Sequence, residues 1–127
     1  MNKQMSIVIQ RTLNQIGVPH HIKGYMYLMS AIEKCIEDRR KLNHIVKGLY
    51  TEIAEENGDI ATRVERSMRH AIEVSWKRGN LEVINSLFGY TVSCQKGRPT
   101  NSEFIACIAD FIYLNYEEIA SGTYSFG

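Results

Sequence analysis

The sequence predicts an all-α fold, a compact bundle of about six helices containing a helix-turn-helix, on three observations. Apolar residues recur at three- and four-residue spacing almost throughout, and sustained alternating stretches are few. Only two prolines, Pro19 and Pro99, interrupt the 127 residues, and both stand at helix boundaries. Glycines at 17, 58, 79 and 89 divide the rhythm into helix-sized pieces.

The first helix is expected over about 4–16, ended by Gly17-Val18-Pro19. The second runs from about His21 to Arg40, with Ile22, Tyr25, Leu28, Met29, Ile32 and Ile36 as its apolar stripe. A third covers about 43–57, with a candidate break near Tyr50-Thr51, and stops at Asn57-Gly58-Asp59. The fourth spans about 62–78 and closes at Gly79; a short fifth follows over about 81–88. Tyr90–Val92 alternates weakly, Gln95–Pro99 reads as a polar loop, and the last helix runs from near Thr100 to about Glu118. Thr62-x-x-Glu65 and Thr100-x-x-Glu103 both match the capping box, in which a hydroxyl and a carboxylate reciprocally satisfy free N–H groups. No repeat, low-complexity tract or linker divides the chain, so residues 1–119 are expected to form one helical domain and 120–127 a flexible tail.

Composition narrows the function classes. Hydrophobic residues at 44% and charged residues at 23% are ordinary for a globular domain, which excludes disorder, collagen and a disulfide-stapled miniprotein. No apolar run approaches the ~18 residues of a membrane span: Met5–Ile9 and Phe104–Leu114 are too short or too interrupted. Met1-Asn2-Lys3-Gln4 leads into no signal-peptide core, and three scattered cysteines, Cys35, Cys94 and Cys107, fit a reducing compartment. The expected setting is the cytoplasm, without a membrane partner.

The net charge of +1 is unevenly spread. Residues 62–78 hold Arg63, Arg66, Arg69, Lys77 and Arg78 against Glu65 and Glu73, a net +3, which leaves −2 on the rest. A basic segment on a near-neutral body suggests a local anionic partner, although a solvated helix face would show the same balance.

Residues 50–76 read as helix, tight turn, helix. Ala54 is small where two helices cross closely, Gly58 supplies the turn, and Val64 packs the second helix back on the first. Ser67 stands where an aliphatic residue is usual, and Met68 takes over the packing. At about 100° per residue, Val64, Met68, Ala71, Ile72 and Ser75 project to one side of the second helix. Thr62, Glu65, Arg66, Arg69, His70, Glu73 and Lys77 project to the other, with Arg63 on the flank. The amino-terminal half of a recognition helix is the part that reaches base edges. Arginine forks suit guanine O6 and N7, and a glutamate can accept from cytosine N4.

The stretch TRVERSMRHAIEVSWKRGN, with LFGYTVS and KGRPTNSEFIA after it and IGVPHHIKGYMYL before it, closely resembles a known family. It is the C-terminal DNA-binding domain of the stage-zero sporulation response regulator, and the likeness extends over about residues 13–110. The resemblance implies a six-helix fold with a helix-turn-helix and a transcription regulator that binds a short TGTCGAA-type box on double-stranded DNA. Carried over position by position, Arg63, Glu65, Arg66 and Arg69 match the family's recognition-helix residues. Thr62 and His70 match flanking positions near the phosphates. Tandem binding with a second copy is implied too, and RNA polymerase is a further candidate partner.

The departures are specific. The family's regulator carries a phosphoacceptor receiver domain, and nothing here reads as one, so the chain is expected to be either an excised effector domain or a stand-alone protein. Ala109-Asp110-Phe111-Ile112-Tyr113-Leu114 turns apolar where the family's last helix ends basic, and Tyr50-Thr51 stands where Tyr-Pro is common. The alternative function is therefore a protein-interaction module that works through this aromatic surface without reading DNA.

The other notable residues carry less. His20-His21 with Cys35 fits no common zinc spacing, so no metal or other cofactor is expected. Cys94 and Cys107 read as packed apolar residues, Trp76 as core or rim packing, and Arg39-Arg40-Lys41 as a solvated helix end. Lys96 and Arg98, in a loop, either touch phosphate or are solvated. With no Ser-His-Asp set, paired catalytic carboxylates or Gly-rich phosphate loop, an enzyme is not expected.

Overall fold

The computed structural model describes residues 2–43, 48–89 and 97–126. Tyr90–Val92, Cys94 and Lys96, for which the sequence raises expectations, lie outside them. The chain folds as α1 (Lys3–Ile16), α2 (Lys23–Glu37), a 3-10 turn (Arg39–Asn43), α3 (Tyr50–Asn57), α4 (Ala61–Arg78), α5 (Leu81–Phe88) and α6 (Asn101–Ser121). No strand occurs among the described residues. The all-α bundle of six helices is as the periodicity predicts.

Local chemistry sets the boundaries. The Asn2 side chain caps α1 by accepting from the Gln4 N–H at 2.8 Å, and Gly17 ends it at φ +100°. The Thr100 box forms: Thr100 Oγ1 accepts from the Glu103 N–H at 3.1 Å, and Glu103 Oε1 accepts from the Thr100 N–H at 2.8 Å. The Thr62 box does not. Helix α4 starts one residue earlier, after an extended Ile60, so Thr62 already lies inside its first turn. The second helix is also shorter than expected. Asp38 accepts from both the backbone N–H and the guanidinium of Arg40, an Asx turn that draws Arg39–Asn43 out of the α-helix.

Helix α2 sits at the centre, packed on α1, α4 and α6. Leu13, Leu28, Ile32, Ile72, Phe104 and Ile108 are essentially inaccessible, each contributing roughly 1.5–3 kcal/mol by burial. Helix α3 is held to α2 by charge as well as packing: the Lys34 ammonium meets Glu52 at 2.9 Å and Glu56 at 2.7 Å. Trp76, on the inner side of α4, stands edge-on to Phe88 and Phe104 at 5.0 and 6.1 Å.

Helix α6 bends at Asn115 (φ −122°, ψ 21°), whose amide donates to the Phe111 carbonyl at 2.9 Å. Beyond the bend, the Arg11 guanidinium donates to the Ile119 and Ala120 carbonyls at 2.8 and 2.9 Å, tying the last helix to the first. After Gly122, Tyr124 and Phe126 lie against Phe111.

Candidate nucleic-acid interface

The α3–α4 corner is built from small and special residues. Ala54 is buried at the contact between the helices. Its carbonyl accepts from the Asp59 N–H at 2.9 Å and also from the Gly58 N–H, while Gly58 takes the left-handed conformation at φ +62°. Only three residues, 58–60, join the helices. Val64 is fully buried six residues after Gly58, as the Ala-Gly-Val spacing requires.

The buried residues of α4 are Val64, Met68, Ala71, Ile72 and Ser75, the five that the helical projection assigns to the inner face. Ser75 satisfies its hydroxyl within the helix by donating to the Ala71 carbonyl at 2.8 Å. Thr62, Arg63, Arg66, Arg69 and His70 are exposed, and Glu65 is half-buried. The arginines differ in their partners. Arg63 meets Asp59 of the connecting turn at 3.3 Å, and Arg69 meets Glu65, one helical turn earlier, at 3.3 Å. Arg66 is exposed and makes no ion pair among the described residues.

Arg98 is brought to the same surface, where it meets Glu73 of α4 at 3.3 Å. Between Arg98 and Arg69 lies an open groove of about 510 Å³ lined by Tyr50, Glu65, Arg69, Arg98, Thr100 and Asn101. Asn101 fixes its floor, donating to the Tyr50 hydroxyl at 3.1 Å and to the Glu65 carbonyl at 3.0 Å. Burial pushes the Tyr50 phenol up from its ordinary value.

Asp59, like Tyr50 and Asn101, is a residue of this surface that the sequence pattern does not single out. Its side chain is 2% exposed, and Oδ2 accepts from the Tyr27 hydroxyl of α2 at 2.5 Å. Oδ1 accepts from the Ile60 N–H at 2.8 Å, and Lys23 and Arg63 approach at 3.6 and 3.3 Å. The Tyr27 hydroxyl above all, then the Ile60 N–H and the two cations, hold the carboxyl below the usual aspartate range. Burial, with Asp59 beside it, pushes the Tyr27 phenol up to about 12. The available signal was an aspartate just ahead of an apolar helical rhythm, a helix-start pattern. Nothing in the sequence pointed to Tyr27, which sits among apolar residues.

An all-α domain that turns an arginine-rich helix face to solvent, with a further arginine drawn alongside, has the electrostatic form of a nucleic-acid-binding module. Residues 9–112 match the family described as Sporulation initiation factor Spo0A C terminal, and the chain belongs to that family. It is accordingly a DNA-binding domain of the sporulation-regulator type, in a family of transcription factors and not of enzymes. Among the described residues no helix is long and apolar enough to cross a membrane.

Proposed function

We propose that the α3–turn–α4 corner is a helix-turn-helix whose second helix enters the major groove and reads a short TGTCGAA-like box. The observation that carries this reading is the division of α4, five residues buried and the three arginines of its amino-terminal half exposed together. Arg66 and Arg69 bond guanine edges, Glu65 accepts from cytosine or orients Arg69, and Arg63 flanks them. Thr62, in the first turn of α4, and His70, two turns further on, flank them near the phosphates, and Arg98 and Lys96 add phosphate contacts from the loop. The protein works in the cytoplasm, on the nucleoid, as a transcription regulator, pairing with a second copy on tandem boxes and meeting RNA polymerase there.

A gel-shift titration against a TGTCGAA duplex and a scrambled one, at fixed salt, tests the proposal. Preference for the box by at least tenfold supports it; equal binding, or none, overturns it.

A further inference from the structure

The turn that joins the two helices of the corner contains a charge arrangement that helix geometry does not require. A turn of this length needs a glycine and a free carbonyl, both supplied by Gly58 and Ala54. The Asp59 carboxylate is additional. It is buried at 2% exposure beneath two cations, Lys23 and Arg63, that are each 65% exposed. Each of its oxygens has a hydrogen-bond donor besides the cations, the Tyr27 hydroxyl on Oδ2 and the Ile60 N–H on Oδ1, so two bonds other than the ion pairs hold it in place. The Arg63 guanidinium then closes on Oδ1 at 3.3 Å, within the first turn of α4.

We infer that Asp59, fixed by Tyr27, is a positioning residue that restrains Arg63 and so sets how much of the charge on α4 is offered to DNA. This rests on the reading of α4 as the recognition helix. A phosphate approaching the amino end of α4 competes with an internal carboxylate for Arg63, whereas Arg66 makes no ion pair among the described residues. The arrangement lowers general attraction to DNA at that end of the helix while leaving Arg66 available for base reading; Arg69 has its own partner in Glu65. It favours specificity over affinity.

The test is a cycle of Asp59→Asn and Arg63→Ala, read as the slope of log K against log salt on the TGTCGAA duplex. Asparagine retains an oxygen for the Ile60 N–H, and its Nδ2 donates to the Tyr27 hydroxyl oxygen, so the contact with Tyr27 is kept with its direction reversed. Releasing Arg63 steepens the slope by about 0.9, one phosphate's worth, and tightens binding to the scrambled duplex as well. Arg63→Ala in the native chain changes the slope by less than about half that amount, yet in the Asp59→Asn background it shallows it by about 0.9. A slope unmoved by Asp59→Asn, or a gain that persists without Arg63, overturns the inference. If Asp59→Asn fails to fold, Arg63→Ala alone decides: a full 0.9 loss in the native chain shows Arg63 was already engaged with phosphate. Arg66→Ala, measured in parallel, separates the two levels. Should it bind both duplexes as the parent does, the reading of α4 fails; should it lose the box while the cycle stays flat, only the restraint by Asp59 fails.

Discussion

Gly24 of α2 lies so close to Ser67 of α4 that a Cβ added to the glycine would stand 2.2 Å from the Ser67 carbonyl oxygen and 2.8 Å from the Ala71 Cβ. The obstacle is backbone, which cannot rotate aside. Through this contact the central helix sets the height of the proposed recognition helix. The crossing also needs the small Ala71 at its second contact, and the fully buried Met68 fills the core beside it. Gly24→Ala is expected to push α2 from α4 and destabilise the fold by ~1–3 kcal/mol, as overpacking does. Urea unfolding measures it; an unchanged midpoint would mean that the helices separate without cost.

Base reading is expected to centre on Arg66. Its guanidinium makes no ion pair among the described residues, while Arg69 must give up or share Glu65 at 3.3 Å. Arg66→Ala should cost ~1–3 kcal/mol on the TGTCGAA duplex and relax preference at one base pair. Arg69→Ala should cost less, because the broken pair offsets part of the gain. Titrations against duplexes substituted one base pair at a time check both, and uniform weakening across all of them would turn Arg66 into a phosphate contact.

The fold is legible because its helices carry strong periodicity: spacing alone gives the inner face of α4 residue by residue. The errors lie where a side chain competes with the backbone. Asp38 ends α2 early by capturing Arg40, and Thr62 loses its capping role because α4 starts after Ile60. Arg63, Arg66 and Arg69 were visible as an exposed basic row, but their different partners were not. Asp59 belongs to another turn of the sequence than Tyr27, 32 residues away, and no local pattern joins them. Long-range polar contacts leave no periodic trace.

The Tyr27–Asp59 bond makes a pH prediction of definite sign. The Tyr27 phenol titrates near 12 in the folded chain, against an ordinary value of 10.0. Unfolded chains therefore lose that proton first, and stability falls as the pH rises from about 10 toward 12. Burial also raises Tyr25 and Tyr50, so part of the fall belongs to them. Tyr27→Phe should flatten the alkaline loss while lowering stability near neutrality. Denaturation midpoints at pH 8, 9.5 and 11, for parent and variant, give the comparison; parallel curves would remove Tyr27 from the alkaline transition.

Arg98 is expected to act through charge alone. It stands beside α4 through Glu73 at 3.3 Å, in a partly exposed pair worth little on its own. Arg98→Ala should shallow the salt slope by about 0.9 and leave the ratio of box to scrambled binding unchanged. A changed ratio would place Arg98 in a groove instead of on the backbone, and an unchanged slope would assign it to solvent.

One recognition helix reads only a few base pairs, too few to select a site among genomic competitors, so two copies on adjacent boxes are expected. The question is what brings them together. The aromatic residues of the carboxyl-terminal region suggest a dimer surface in the sequence, but in the fold they are largely used within the chain. Phe111 packs on Tyr124 at 5.1 Å, Tyr124 on Phe126 at 4.9 Å, and both tail rings lie against the core. Tyr113 is covered on one face by the Arg39 guanidinium at 4.3 Å, which is itself paired with Asp110. Exposed Leu114 and the open edge of Tyr113 remain, well short of the roughly 800 Å² per partner that a stable interface buries. Pairing should therefore come from the DNA, which holds two domains on one side of the duplex at a spacing of about one helical turn. The expected outcome is a monomer at micromolar concentration without DNA and two chains per tandem-box duplex, read by size exclusion with light scattering. A stable dimer without DNA would return the Tyr113–Leu114 surface to the centre of assembly, and one chain per tandem duplex would remove cooperation altogether.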